Sequence, residues 1–403
     1  MIRGIALAIF TLLFLPSCHK DLEKKTILCI PVYGQSLALG EEAGRMTDFD
    51  SLSNYANGRI VSENLDHNFG YFDNNEWKEW GKKIVHYQKR SYELSVYKMA
   101  QRLAEHIGKD TLICIFPGGQ GGTDIANLSK GTIPYQHFID NIKDAYTQAQ
   151  DNGWDFVIPA ICWMQGESDI ADYPNTDYKK MLIQIWKDMN ADIQHITHSK
   201  DTIRFICYQA NSLTRAEKFK PDDYECIETC VPQTFVDILL HDSRFWASGP
   251  TYPYSCVREV IHIDAKGQQQ IGALAAKSVL GIMRGEKRFQ GLIPTCLTVE
   301  GNDVAIKLNT PTPPLTFDTI QVRKVPLYGF SVINKENHNI ATKVTLDDES
   351  IRITCSESPK DCKVRYAVNG EYMKSGKDHG PRGNLRDNSN NWCYQFDMKP
   401  SNQ

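Results

Sequence analysis

Several absences narrow what this chain of 403 residues can be. It has no long run of one charge. Its 45 basic and 49 acidic residues leave a formal net charge of −4, which argues against nucleic acid as a partner. Its N-terminal apolar run, Ile5 to Leu15, is too short to span a bilayer. Twelve cysteines contain no Cys-x-x-Cys, and Cys226 and Cys230 with His241 make a poor zinc pattern, so neither a metal nor a cofactor is expected. A glycine-rich stretch, Gly118 to Thr123, is followed by no Lys-Ser or Lys-Thr pair, which sets a Walker-type phosphate loop aside.

What is present is patterned. Hydrophobic residues make up 41% of the chain, ample for a full core and for two domains. Strand patterns at Thr26–Val32, Thr111–Phe116, Phe156–Trp163 and Ile203–Gln209 alternate with helical ones. The helical patterns fall at Leu94–His106, Tyr135–Gln150, Tyr178–Ile193, Pro232–Leu240 and Gln268–Met283. Alternation of this kind predicts a parallel sheet covered on both faces, with ligands at the carboxyl ends of its strands.

Three of those strands end in polar, glycine-containing corners. The first is Tyr33-Gly34-Gln35-Ser36, where Gly34 allows a tight turn and Ser36 can face an incoming group. The second is Gly118-Gly119-Gln120-Gly121-Gly122-Thr123, whose backbone N–H groups can approach a developing oxyanion. The third is Trp163-Met164-Gln165-Gly166-Glu167-Ser168-Asp169. A serine nucleophile needs a base, and Glu259-Val260-Ile261-His262 supplies one just before the last helical run. Each feature has a plainer reading: a turn cap, a loop, a satisfied structural histidine. Their joint occurrence in this order, at strand ends, describes an active site with a serine and a base.

In that order, Gly-Gln-Ser, Gly-Gly-Thr, Gln-Gly-Glu-Ser-Asp and acid-x-x-His resemble the SGNH hydrolases, within them the sialate O-acetylesterases and related carbohydrate acetylesterases, over about residues 26–285. The resemblance implies an SGNH-type three-layer α/β fold with a central parallel sheet. It implies Ser36 as nucleophile and His262 as base. It implies oxyanion donors from Ser36, Gly121 or Gly122, and Gln165. Gln35 and Asp169 become candidate substrate contacts. Two positions depart from the family pattern: Leu37 stands where Asn is usual, and Glu259 where Asp is usual. Some relatives use the glutamate of Gln-Gly-Glu, so Glu259 and Glu167 both remain candidate acids. Asp264 lies on the wrong side of His262. The substrate implied is an acetylated carbohydrate. Rival readings are a lipid or aryl esterase, and a non-catalytic carbohydrate-binding lipoprotein.

Residues 1–18 read as a lipoprotein signal peptide, with Leu15-Pro16-Ser17-Cys18 resembling a lipobox; an ordinary secretion signal is the alternative. Cys18 is then the lipidation site and 19–25 a tether, which predicts export and a membrane partner reached only through the lipid anchor. The hydrolase region is expected over 26–288. Within it, Leu39 to Tyr92 is a long polar loop with aromatics, including Tyr55, Trp77 and Trp80, that either stack on sugars or pack onto the body. Cys29, Cys114, Cys162 and Cys207 read as buried hydrophobes; Cys226 with Cys230 and Cys355 with Cys362 are possible bridges. Over 289–403 the helical period vanishes, and short alternating runs predict a β-sandwich accessory domain. There, Arg382 and Arg386 either recognise a carboxylate or sugar hydroxyls or pin a loop.

Overall fold

Proline shapes the central sheet of the computed structural model. The model describes residues 25–47, 56–63, 84–86, 92–172, 174–347 and 350–400. Strand β1 (Thr26–Cys29) resumes as β2 (Val32–Gly34) after Ile30-Pro31. The edge strands β3 (Ile60–Glu63) and β4 (Ile84–His86) follow. Then β5 (Thr111–Cys114) resumes as β6 (Pro117–Gly119), and β7 (Asp155–Val157) resumes as β8 (Ala160–Met164) after Ile158-Pro159. A proline has no N–H to give to a ladder. The ladder nevertheless continues across the creases: Ile30 N donates to Cys114 O at 2.9 Å, and Cys162 N to Pro31 O at 2.9 Å. With β9 (Arg204–Gln209) and β10 (Phe245–Pro250), the result is one parallel sheet ordered β3, β5/β6, β1/β2, β7/β8, β9, β10, with β4 antiparallel at its edge.

Helices cover both faces. Helix α1 (Ser95–His106) packs on the last long helix, and α2 (Ile133–Asp151) packs on α4 (Tyr178–Thr197). The short α3 (Glu167–Ala171) begins at the third corner; α5 (Cys230–His241) and α6 (Ala265–Met283) complete the layers. The periodicity located every long helix to within three residues at its start. It missed β10, whose Phe-Trp-Ala-Ser-Gly-Pro sequence carries no alternation, although all six residues are buried.

The C-terminal region is antiparallel. Strands β11 (Ile293–Glu300), β12 (Asp303–Asn309), β15 (Ala341–Asp347) and β16 (Ser350–Cys355) form one sheet in the order β11-β12-β16-β15. A pair joins β13 (Thr316–Phe317) to β18 (Leu385–Arg386), and β14 (Phe330–Ile333), β17 (Lys363–Tyr366) and β19 (Phe396–Met398) make a third sheet. This region is fastened to the α/β region by buried polar bonds. Gln209 Nε2 donates to Gln395 O at 2.8 Å, and Gln395 N donates back to Gln209 Oε1 at 2.8 Å. The fully buried Arg365 pairs with Asp397 at 3.0 Å and also donates to Pro221 O and Tyr224 O.

Among the described residues every cysteine is free, so neither expected bridge, Cys226–Cys230 nor Cys355–Cys362, is formed. Cys29, Cys114, Cys162 and Cys207 are buried. No described helix is long and apolar enough to cross a membrane. The signal segment, Cys18 and most of the aromatic loop, including Tyr55, Trp77 and Trp80, lie outside the described residues.

Candidate active site

Backbones that nearly touch bring the three corners together. A Cβ on Gly34 would stand 2.0 Å from Met164 O, and one on Gly119 would stand 1.8 Å from Gly34 O. Only glycine fits at either position, and this is why the strand ends can converge. Beyond Gly34 the chain folds into a tight turn: Leu39 N donates to Gln35 O, and Glu41 N to Ser36 O at 3.0 Å. Ser36 is held on that turn. Leu37, the first departure from the family pattern, is buried in the core, and its carbonyl accepts from Gln268 Nε2 at 2.9 Å. A polar side chain is therefore replaced by packing, and α6 is tied to the serine turn.

His262 arrives from a loop that closes on itself through Val257 N to His262 O at 2.7 Å and Asp264 N to Ser255 O at 2.8 Å. Asp264 then caps α6 through Gly267 N. His262 Nε2 lies 2.8 Å from Ser36 Oγ, and His262 Nδ1 lies 2.7 Å from Glu42 Oε2. Arg258 closes on the other oxygen of Glu42. Three charged residues here adopt the left-handed backbone region: Glu42 at φ 61°, Arg258 at φ 54° and Glu259 at φ 57°. Each such residue costs roughly 1–2 kcal/mol, and strain of this kind concentrates at functional sites. Burial, aided by Arg215 and Arg258, pushes the pKa of His262 down to about 4. The ring is thus neutral near neutral pH, the state that can accept a proton.

The carboxylate on His262 corrects the sequence reading. Glu259 does not fold back to the ring; its positive φ turns the side chain toward Lys374, whose Nζ is 2.5 Å away and holds its pKa below the usual range. Glu167 is fully buried and accepts from Tyr208 Oη, with burial raising its pKa to about 7. Glu42 does not stand out in the sequence because Leu39 onward reads as the start of a polar loop. The available signal was the Glu41-Glu42 pair just past a glycine, Gly40, at φ 68°.

Other expected contacts are also reassigned. The Gln165 amide is wholly committed: Nε2 donates to Asp169 Oδ2 at 2.5 Å and to Thr123 O, while Oε1 accepts from Tyr178 Oη at 2.8 Å. No Gln165 donor remains for an oxyanion. Asp169 accepts from Ile125 N, Gln165 and Asn175, so it braces loops rather than facing a substrate. Arg382 donates to Arg323 O and Gly380 O, and Arg386 to Asp318 and Asp387 O; both pin the C-terminal region internally. In contrast, the backbone N–H groups of Ser36, Gly121 and Gly122 donate to no described atom, and neither does Gln35 Nε2. Gln35 Oε1 meanwhile accepts from Gly166 N and Ser168 N, which fixes that amide beside Ser36. The buried Glu41, its pKa raised by desolvation, lies against Gly121. Among the described residues no cluster of His, Cys, Asp or Glu is arranged to hold a metal.

The chain is similar to known proteins in its fold. A carbohydrate acetylesterase from Xanthomonas citri superposes with a TM-score of 0.60 at 13% identity, over 92% of this chain and 80% of that one. This likeness establishes a shared fold, with an SGNH-type α/β region and a β-rich C-terminal region. A protein from Arabidopsis thaliana matches at 17% identity with a TM-score of 0.45, over 64% of this chain and 98% of that one. The structure named NanS matches at 13% with a TM-score of 0.47, over 65% and 99%. No curated protein matches the chain. Residues 32–229 match the family described as carbohydrate esterase, sialic acid-specific acetylesterase. The match runs from the first corner past the third, and the protein is a carboxylic ester hydrolase.

Proposed function

We propose that the protein removes O-acetyl groups from carbohydrate by a serine mechanism. The observation that carries this reading is the unbroken chain Ser36 Oγ, His262, Glu42, with contacts of 2.8 and 2.7 Å. Ser36 Oγ attacks the acetyl carbonyl as its proton passes to His262 Nε2. The Glu42 carboxylate holds Nδ1–H and stabilises the imidazolium that forms. The oxyanion receives the free N–H groups of Ser36 and of the Gly121-Gly122 turn, with Gln35 Nε2 as the side-chain donor in place of Gln165. His262 returns its proton to the departing sugar oxygen, which leaves as a hydroxyl. Water then attacks the acetyl-serine with the same base, releasing acetate and restoring Ser36.

The test is acetate release from O-acetylated sialic acids, acetylated xylan and 4-nitrophenyl acetate by wild type and Ser36→Ala. Activity on an acetylated sugar that vanishes in the variant supports the reading; activity that persists overturns it. A lipid anchor at Cys18, placing the enzyme on the outer side of a membrane, is a proposal of its own. It rests on the short apolar run ending in Leu-Pro-Ser-Cys. Incorporation of labelled fatty acid that is lost in Cys18→Ala is its test.

A further inference from the structure

Glu259, removed from the triad, has a different set of contacts. Apart from a turn bond from its own N–H to Cys256 O, they lead to one segment of the C-terminal region. Ser375 N donates to Glu259 O at 2.8 Å, and Lys374 Nζ bonds the Glu259 carboxylate at 2.5 Å. His379 Nε2 stands 3.6 Å from the other carboxylate oxygen. Lys377 N donates to Tyr254 O at 3.1 Å, on the same loop. The segment also grips the loop after β9: Met373 N donates to Thr214 O at 3.0 Å, and Thr214 Oγ1 donates to Lys374 O. Gly376, at φ 84°, makes the close approach possible, because a Cβ there would stand 2.8 Å from Tyr254 O and 3.0 Å from Cys256 N.

This loop carries His262 and Arg258, and two consecutive residues in it have left-handed backbones. Its internal bonds close the base, between Ser255–Val257 and His262–Asp264, and add two turn bonds nearer the tip, Glu259 N to Cys256 O at 3.0 Å and Val260 N to Val257 O at 3.1 Å, none of which ties the loop to its surroundings. The tip is held from outside. We propose that residues 373–377 are a clamp by which the C-terminal β region positions His262 against Ser36, with Lys374 and Gly376 as positioning residues. On this view the hydrolase region alone does not complete its own site. The Lys374–Glu259 pair is half-exposed, so the charge pair contributes modestly and the backbone contacts that Gly376 permits contribute more. The proposal rests on Ser36 and His262 being the catalytic pair.

The experiment compares Gly376→Val, Lys374→Met and Lys374→Arg in the full chain. It measures kcat and KM on 4-nitrophenyl acetate, the rate of Ser36 labelling by a fluorophosphonate, and thermal melting. Displacing a base from its nucleophile slows chemistry more than binding. Gly376→Val should therefore lower kcat and labelling rate roughly tenfold or more, with KM changed less than about twofold. Lys374→Met should show a smaller fall of the same kind, restored by Lys374→Arg. Folded variants with wild-type kcat and labelling overturn the clamp, as does a fall that merely tracks the lost folded fraction. Should Gly376→Val not fold, the two Lys374 variants decide. Absence of Ser36 labelling in the wild type would instead defeat the catalytic reading itself.

Discussion

Glu42 and His262 are joined at 2.7 Å across 220 residues of sequence, and Arg258 grips the far oxygen of the same carboxylate. The carboxylate therefore comes from the turn that carries Ser36, and the imidazole comes to it. Glu42→Gln keeps the shape but supplies an amide that cannot balance an imidazolium. Its kcat on an acetyl ester should fall by about 10²–10⁴. Glu259→Gln, which retains a hydrogen-bonding partner for Lys374, should lose less than about tenfold. Steady-state rates on one substrate decide between them, and the reverse order would return Glu259 to the triad.

His262 titrates low, to about 4 against an ordinary 6.5, because burial and the arginines at 215 and 258 disfavour its charge. Only the neutral ring accepts the serine proton. The acid limb of kcat/KM should therefore lie near pH 4, with activity flat through pH 6.5. Arg258→Met removes a nearby positive charge and frees the Glu42 carboxylate, and both changes favour the imidazolium. The limb should move to higher pH in that variant. A wild-type limb at pH 6.5 would contradict this electrostatic picture.

The fold was largely legible because most central strands lie in apolar runs, three of which stop at a polar corner. The corners supplied Ser36, Gly121 and Gly122, and the last helix pointed back to His262. What was not legible depends on where backbones turn. Gly40 at φ 68° folds Glu42 back beside Ser36, within a stretch that reads as loop. Gly166 at φ 151° follows a Gln165 whose side chain turns inward to Asp169, away from the role that its motif suggests. The partners of the Glu259 carboxylate and carbonyl lie more than a hundred residues away, at Lys374 and Ser375, beyond any local pattern.

Gln165 separates a structural role from a catalytic one. Its amide bonds Asp169, Thr123 O and Tyr178, all within buried surroundings. Truncation to Ala strands these partners, and each buried group left unpaired costs about 1–3 kcal/mol. Gln165→Ala should thus lower the unfolding free energy while kcat of the folded fraction changes less than about tenfold. Loss of an oxyanion donor would look different: roughly 2.7–4 kcal/mol from the transition state with stability intact. Denaturant titration alongside active-site-titrated kcat distinguishes the two.

Arg365 tests whether the two regions stand or fall together. Its side chain is fully buried on β17, yet its donors reach Asp397 on β19 and the carbonyls of Pro221 and Tyr224 in the α/β region. Arg365→Leu removes the cation and leaves Asp397, itself 4% exposed, as an uncompensated charge. Breaking one side of such a pair costs about 3–5 kcal/mol. The contacts bridge the regions, so the loss should appear as one transition shifted to lower urea, with both regions unfolding together. Replacing both partners, Arg365→Leu with Asp397→Leu, should recover much of the loss because no charge is then stranded. Two separate transitions, with the α/β region unmoved, would show that the β region is carried rather than integral. The clamp on His262 would then have no rigid base to act from.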